Sequence, residues 1–128
     1  MTNNNENFYK ITGMDIMDAE DNVSLLIKFN PEHNVFKGHF PDQPVVPGVC
    51  LIEIITDCLS GLMRMPCTLV ESDYIKFLKP IIPNTTDTYT LNIALHKLSV
   101  DEVIVEAIIN IYSTKYLKFK GIFSRLSA

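Results

Sequence analysis

One segment limits what the chain can become. From Pro47 to about Arg64 it reads as a helix that is apolar around most of its circumference. Val49, Cys50, Leu51, Ile52, Ile54, Ile55, Cys58, Leu59, Leu62 and Met63 leave only Glu53, Asp57, Ser60 and Arg64 as a polar stripe at helical spacing. Such a helix must be covered on nearly all sides, and the rest of the chain must supply the cover. Pro47-Gly48 opens it, since a proline N–H is not missed at the first helical position. Met65-Pro66 closes it.

The cover is sheet. Phe8 to Met17 and Asn22 to Phe29 read as two strands separated by the acidic break Asp18-Ala19-Glu20-Asp21. After the helix, Thr68 to Leu78 reads as a third, ending at the proline-marked break Lys79 to Asn84. Tyr89, Leu91, Ile93 and Leu95 alternate with polar or small residues, the period of a half-buried strand. Val103 to Ile111 and Leu117 to Phe123 repeat the pattern. Strands grouped around one helix, without regular βαβ alternation, predict an α+β fold with a largely antiparallel sheet wrapped around the helix.

Composition narrows the function. The 128 residues carry 11 basic and 15 acidic side chains, a formal charge of −4, which suits one domain and argues against wholesale nucleic-acid binding. We expect one domain over 1–128, with residues 1–7 flexible. The polar N-terminus lacks a secretory layout, and the longest apolar stretch, Val45 to Leu59, is interrupted and too short to span a bilayer. A cytoplasmic protein with no membrane partner is expected. Cys50, Cys58 and Cys67 are odd in number and lack CxxC spacing, so reduced buried thiols are expected, with no metal site.

The stretch from Asn30 to Pro47 holds four prolines, two histidines and one glycine, with no clean period. An irregular stretch of this length inside a compact domain tends to be functional. Within it His39 sits in a loop stiffened by prolines, and an imidazole is the side chain that exchanges a proton near neutrality. Gly48 leaves a backbone N–H unpaired at a helix start and has no side chain to block a close approach. Glu53 is the acidic residue in the first turns of an otherwise apolar helix. A base, an N–H donor and a partly buried carboxyl group suit removal of a proton next to a thioester carbonyl with loss or gain of water at the β carbon. No cofactor is signalled. Two other residues are set aside: His33 is expected to face solvent, and His96 falls on the polar face of a strand. Cys50 lies in the apolar run, where a thiol stays protonated and inert.

Gly38-His39-Phe40-Pro41, then Pro44-Val45-Val46-Pro47-Gly48-Val49, then Glu53 resembles the signature of the bacterial 3-hydroxyacyl-(acyl-carrier-protein) dehydratases, hot-dog enzymes of fatty acid and related lipid and polyene synthesis. His39 and Glu53 stand 14 positions apart, as in that family's catalytic pair. Asp73 to Pro83 is similar to the family's strand after the central helix. The resemblance implies a hot-dog fold, His39 as base, Glu53 as acid and the Gly48 N–H as oxyanion donor. It also implies Phe40, Pro47, Val49 and Asp57 around the substrate, an acyl carrier protein as partner, and a homodimer or larger homo-oligomer. The family pairs His39 of one subunit with Glu53 of the other. Eight residues of extended chain reach up to ~26 Å, so the residues alone allow closure within one chain or across two.

Three positions depart from the family pattern. Asp57 stands where Gln is common, Asn84-Thr85 replaces Gly-Asp, and no His-Arg-Pro-Phe-like run precedes Phe8, which marks a short member. An acidic carrier needs a local basic rim, for which Lys37, Lys76 and Lys79 are the leading candidates, with Lys115, Lys118, Lys120 and Arg125 behind them. Two other functions compete: a hot-dog thioesterase, which gives His39 no task, and a non-catalytic acyl-binding subunit.

Overall fold

A computed structural model of the chain describes residues 7–17, 21–37 and 43–125. The expected flexible stretch at 1–7 therefore lies outside the described residues apart from Asn7. The elements are β1 (Tyr9–Met17), β2 (Asn22–Phe29), a 3-10 turn (Asn34–Phe36), α1 (Gly48–Met63), β3 (Cys67–Phe77), β4 (Tyr89–Lys97), β5 (Glu102–Ile111) and β6 (Thr114–Arg125). The strands form one six-stranded sheet in the order β1-β2-β4-β5-β6-β3, antiparallel at every pairing. This is the α+β hot-dog arrangement that the sequence predicts.

Side-chain alternation decides which face holds the helix. Val23, Leu25 and Ile27 of β2, Leu91 and Ile93 of β4, and Val105, Ala107 and Ile109 of β5 all point inward and are buried. From α1, Ile54, Ile55 and Leu59 fill the concavity with no surface left exposed. Burying one such side chain fully is worth roughly 1.5–3 kcal/mol, so this layer dominates stability. Curvature comes from irregular pairing at β3, where the register with β6 shifts between Leu69 and Glu71 and again between Ser72 and Tyr74. Gly121 permits that bend, because a Cβ there would stand 2.8 Å from the Glu71 carbonyl oxygen.

Both ends of α1 are tied down. Pro47 is the N-cap rather than the first helical residue expected: its φ of −60° suits a helix, but its ψ of 146° is extended, and the helix begins at Gly48. The preceding loop is held by the Val46 N–H donating to the Ile81 carbonyl at 2.8 Å. At the other end Arg64 turns left-handed (φ 58°), and its N–H donates to the Gly61 and Ser60 carbonyls. The Ser60 hydroxyl accepts from the Cys67 N–H at 3.0 Å, coupling the helix end to the start of β3. Asn84 organises the turn before β4: its Oδ1 accepts from the Thr86 and Asp87 N–H groups at 2.9 and 2.8 Å. The replacement of Gly-Asp by Asn84-Thr85 is thus accommodated as a side-chain-capped turn.

The helix is less enclosed than its composition suggests. Val49 is 78% exposed, and with Glu53, Asp57, Gly61 and Arg64 it forms an open stripe along one side. Val49 lies one turn before Glu53, so its place on the polar stripe overrides its apolar character.

Two substitutions on α1 should act in opposite directions. Ile55→Ala, which empties a fully buried position, should cost about 2–5 kcal/mol in a urea titration. Arg64→Gly, which relieves a left-handed residue, should stabilise by about 0.5–1 kcal/mol.

Candidate active site

The first turns of α1 gather the described candidate residues. Gly48 is the first helical residue, and among the described residues its N–H has no acceptor. It leaves room for a neighbour: a Cβ would stand 2.6 Å from the tip of the Phe77 ring, so a larger residue would have to push that exposed ring aside. The Phe77 ring, more than half exposed, therefore lies directly against the helix start. Phe77 is a residue that sequence reading missed, because nothing in the local pattern of β3 signals a contact with Gly48.

Glu53 follows five residues later, about 7.5 Å along the axis. Its carboxylate is exposed, not partly buried as the sequence suggests, because it lies on the open stripe of α1, and it has no partner among the described residues. Asp57, one turn further on, is held from the other side: the Tyr9 hydroxyl of β1 donates to its Oδ2 at 3.0 Å. Burial, and then the Asp57 carboxylate, push the Tyr9 phenol well above its ordinary pKa, so it remains a donor throughout the neutral range. Tyr9 was also invisible in the sequence, lying 48 positions from its partner.

The thiols on α1 are silenced. Burial, and then the Asp57 carboxylate, push Cys58 up to about 12; burial, and then Glu53, raise Cys50. Neither supplies a thiolate near neutrality, which agrees with the reading of Cys50 as inert.

His39 and Phe40 lie outside the described residues. His33 departs from the expectation of a solvated side chain: it caps the 3-10 turn, its Nδ1 accepting from the Val35 N–H at 3.0 Å, and it packs edge-on against Phe8 and Phe36. A backbone capping role was hidden because the turn is only three residues long. His96, on the polar face of β4, is exposed and pairs with Glu106 across β4 and β5 at 3.0 Å.

Lys37, Lys76 and Lys79 are all exposed. Lys76 and Lys79 flank Phe77 at the end of β3, their ammonium groups 4.9 Å from the Tyr74 ring and 5.7 Å from the Tyr116 ring respectively. Arg125 is far less suited to the same rim. It lies at the opposite end of α1, donating to the Met65 sulfur and the Val100 carbonyl. Among the described residues no group of His, Cys, Asp and Glu is clustered as metal ligands would be. No helix among them is long and apolar enough to cross a membrane.

The sequence profile of the ApeI-like family, described as ApeI dehydratase, matches residues 15–106, a stretch that contains Gly48, Glu53 and Asp57. The chain belongs to that family. Among curated relatives, it is 30% identical over 105 residues to the 3-hydroxyacyl-(acyl-carrier-protein) dehydratase FabZ of Thermus thermophilus, covering 73% of this chain and 72% of that one. It is 34% identical over 67 residues to the FabZ of Ehrlichia chaffeensis, covering 48% and 46%. Several of the curated relatives are spanned over only 45% to 65% of their length. Among solved structures, the dehydratase heterocomplex ApeI:P from Xenorhabdus doucetiae superposes with a TM-score of 0.72 at 20% identity, covering 91% of this chain and 97% of that one. That likeness establishes the hot-dog fold.

The raised Tyr9 pKa has a stability consequence with a definite sign. The folded state holds the phenolic proton more tightly than the unfolded chain, so this contribution is complete below pH 10 and is lost as pH rises above it. Cys58 acts in the same sense from about pH 9 upward. The thermal midpoint should therefore fall between pH 9 and 11, and Tyr9→Phe should show a smaller fall than the parent over that interval.

Proposed function

We propose that the chain is a hydro-lyase that removes water from 3-hydroxyacyl thioesters carried on acyl carrier protein, giving trans-2-enoyl thioesters. His39 takes the α proton, and the electron pair moves toward the thioester carbonyl. The Gly48 N–H, aimed outward at the positive end of α1, stabilises the charge that develops on that oxygen. Collapse of the enolate forms the α–β double bond and breaks the β carbon–oxygen bond, while Glu53 delivers a proton so that hydroxide leaves as water. Phe40, Pro47, Val49 and Asp57 border the acyl group. The observation that carries this reading is the pairing on α1 of an unsatisfied N–H at Gly48 with an unpartnered carboxylate at Glu53, inside the segment matched to a dehydratase family.

The working unit is a homodimer joined at the β3 edges, with His39 of one copy facing Glu53 of the second. β3 supports this: it is an edge strand of 11 residues, and Cys67 is its sole fully buried residue. A long open edge with exposed Val70 and Phe77 is a hazard for a lone monomer and a ready interface for a copy. The exposed Val49 lies on the open side of α1 and adds to the same apolar surface. Lys37, Lys76 and Lys79 form the rim that receives the acidic carrier.

Incubation with 3-hydroxybutyryl carrier protein, following enoyl absorbance and free thiol together, tests the chemistry. The parent should form enoyl product without thiol release. His39→Ala and Glu53→Gln should each lower kcat by about 10²–10⁴. Thiol release without enoyl formation would establish a thioesterase instead, and neither product would establish a binding subunit or a chain that needs a different second subunit. Native mass measurement should give a dimer, and Val70→Asp should shift it toward monomer with loss of turnover.

The docking rim makes a separate prediction. Reversing Lys76 and Lys79 to Glu should raise KM for the carrier-bound substrate by roughly tenfold, while turnover of the same acyl group on a short pantetheine thioester changes little.

A further inference from the structure

The two-residue link between β5 and β6 is built against local preference. It runs Tyr112-Ser113, flanked by the Ile111–Thr114 pair. Tyr112 has a φ of 52° at the first position of the link, where hairpins of this length favour glycine or asparagine. A bulky side chain there crowds its own backbone, and such outliers persist only where the surroundings hold them. Here a row of half-buried side chains does so. The Ser24 hydroxyl donates to Asn92 Oδ1 at 2.7 Å, the Asn92 amide to Asn110 Oδ1 at 2.9 Å, and the Asn110 amide to the Tyr112 carbonyl at 2.7 Å. The row crosses β2, β4 and β5 and ends on the link. Arg64, the other non-glycine residue with positive φ among the described residues, closes α1. Tyr112 is 94% exposed, so packing within the chain does not account for a ring in that position.

The link stands at the end of the sheet where the candidate site lies. Leu117 pairs with Phe77, whose ring meets Gly48, and Thr114 lies about 10 Å of strand beyond Leu117. A second irregularity sits between them. Ile109 pairs with Leu117 but Asn110 with Lys115, so Tyr116 is the extra residue of a bulge, a device that re-aims side chains. Its carbonyl accepts from the Leu78 and Lys79 N–H groups at 2.9 and 3.4 Å, and its ring lies 5.7 Å from the Lys79 ammonium. Lys79 and Lys115 are exposed, and neither has a carboxylate partner among the described residues. The Asp87 carboxylate at the same end is engaged by the Asn84 amide at 2.9 Å. We infer that Tyr112 is an aromatic anchor for the acyl carrier protein, presented by the strained link beside the Lys79 and Lys115 charges. The inference rests on the carrier-bound substrate proposed above. A carrier whose arm reaches Gly48 past Phe77 must sit over this end of the sheet, and its acidic surface complements the two ammonium groups. A tyrosine already held in place loses little freedom on binding, which suits it to be one of the few residues that dominate an interface.

The test uses the full chain and holo-acyl carrier protein, with affinity read by fluorescence anisotropy and no chemistry required. Tyr112→Gly should raise Kd roughly tenfold while raising the thermal midpoint by about 2–5 °C, because glycine relieves the positive φ. Tyr112→Asn, which tolerates that backbone but lacks the ring, should lose affinity to the same extent. Tyr112→Phe should retain most of it. Lys115→Glu should weaken binding by a similar factor, and that loss should shrink as salt is raised. In turnover, Tyr112→Gly should lower kcat/KM for a carrier-bound substrate relative to the same acyl group on pantetheine. Carrier binding that Tyr112→Gly weakens, with no turnover by parent or variant, supports the anchor and counts against the dehydratase reading alone. Unchanged affinity in Tyr112→Gly, a lowered thermal midpoint in that variant, or a parent that does not bind the carrier would overturn the inference. So would a native mass of Tyr112→Gly that differs from the parent's oligomer, which would place the ring in a contact between copies of this chain.

Discussion

The burial of α1 in the concave face of a single antiparallel sheet is the contact on which everything else in the molecule depends. Ile54, Ile55 and Leu59 lose all exposure there, against strand residues such as Leu91, Val105, Leu117 and Phe123 that are equally enclosed. No second helix or second sheet shares the load among the described residues. The sheet must curve to meet a cylinder, and the irregular pairing along β3 with the bare Gly121 provides part of that curvature. A helix held this tightly is a rigid platform, and rigidity is what lets residues on its exposed side keep fixed mutual positions.

That platform also explains why the two helix ends serve different purposes. The N-terminal end is crowded by the Phe77 ring and the Val46–Ile81 hydrogen bond, yet it leaves the Gly48 N–H without an acceptor among the described residues. A larger residue at 48 would have to displace the exposed Phe77 ring, so the glycine lets that ring lie directly against the helix start. The C-terminal end is closed by its own chain through Arg64, Ser60 and Cys67. One end is thus closed by capping, and the other keeps a backbone N–H without an acceptor among the described residues.

Much of this was legible in the sequence because it rests on local periodicity. The alternation in 89–95 and 103–111 and the apolar run of 49–63 gave elements within a residue or two of those observed. Proline and glycine around 47 and 48 marked the helix start, with the single error of assigning Pro47 to the helix rather than to its cap. Glu53 and Gly48 could be named as neighbours on one helix for the same reason: helix spacing determines their relation. What escaped were contacts between distant segments. Tyr9 reaching Asp57 and Phe77 covering Gly48 each depend on how β1 and β3 lie against α1, and no period within one element encodes that. His33 escaped for another reason, since a three-residue turn leaves no pattern to read.

The exposed stripe of α1 is where stability and chemistry are in tension. A helix surrounded by sheet would be most stable with apolar residues throughout, and Val49 shows that the stripe is not kept polar merely for solubility. Glu53 and Asp57 place two like charges one turn apart on a surface that adjoins the core, an arrangement that repels rather than stabilises. Tyr9 relieves only one of them. Its hydroxyl satisfies Asp57, leaving Glu53 as the carboxylate without a partner among the described residues. The difference between two chemically similar side chains is therefore set by a strand at the far edge of the sheet, which brings a donor to one and not to the other.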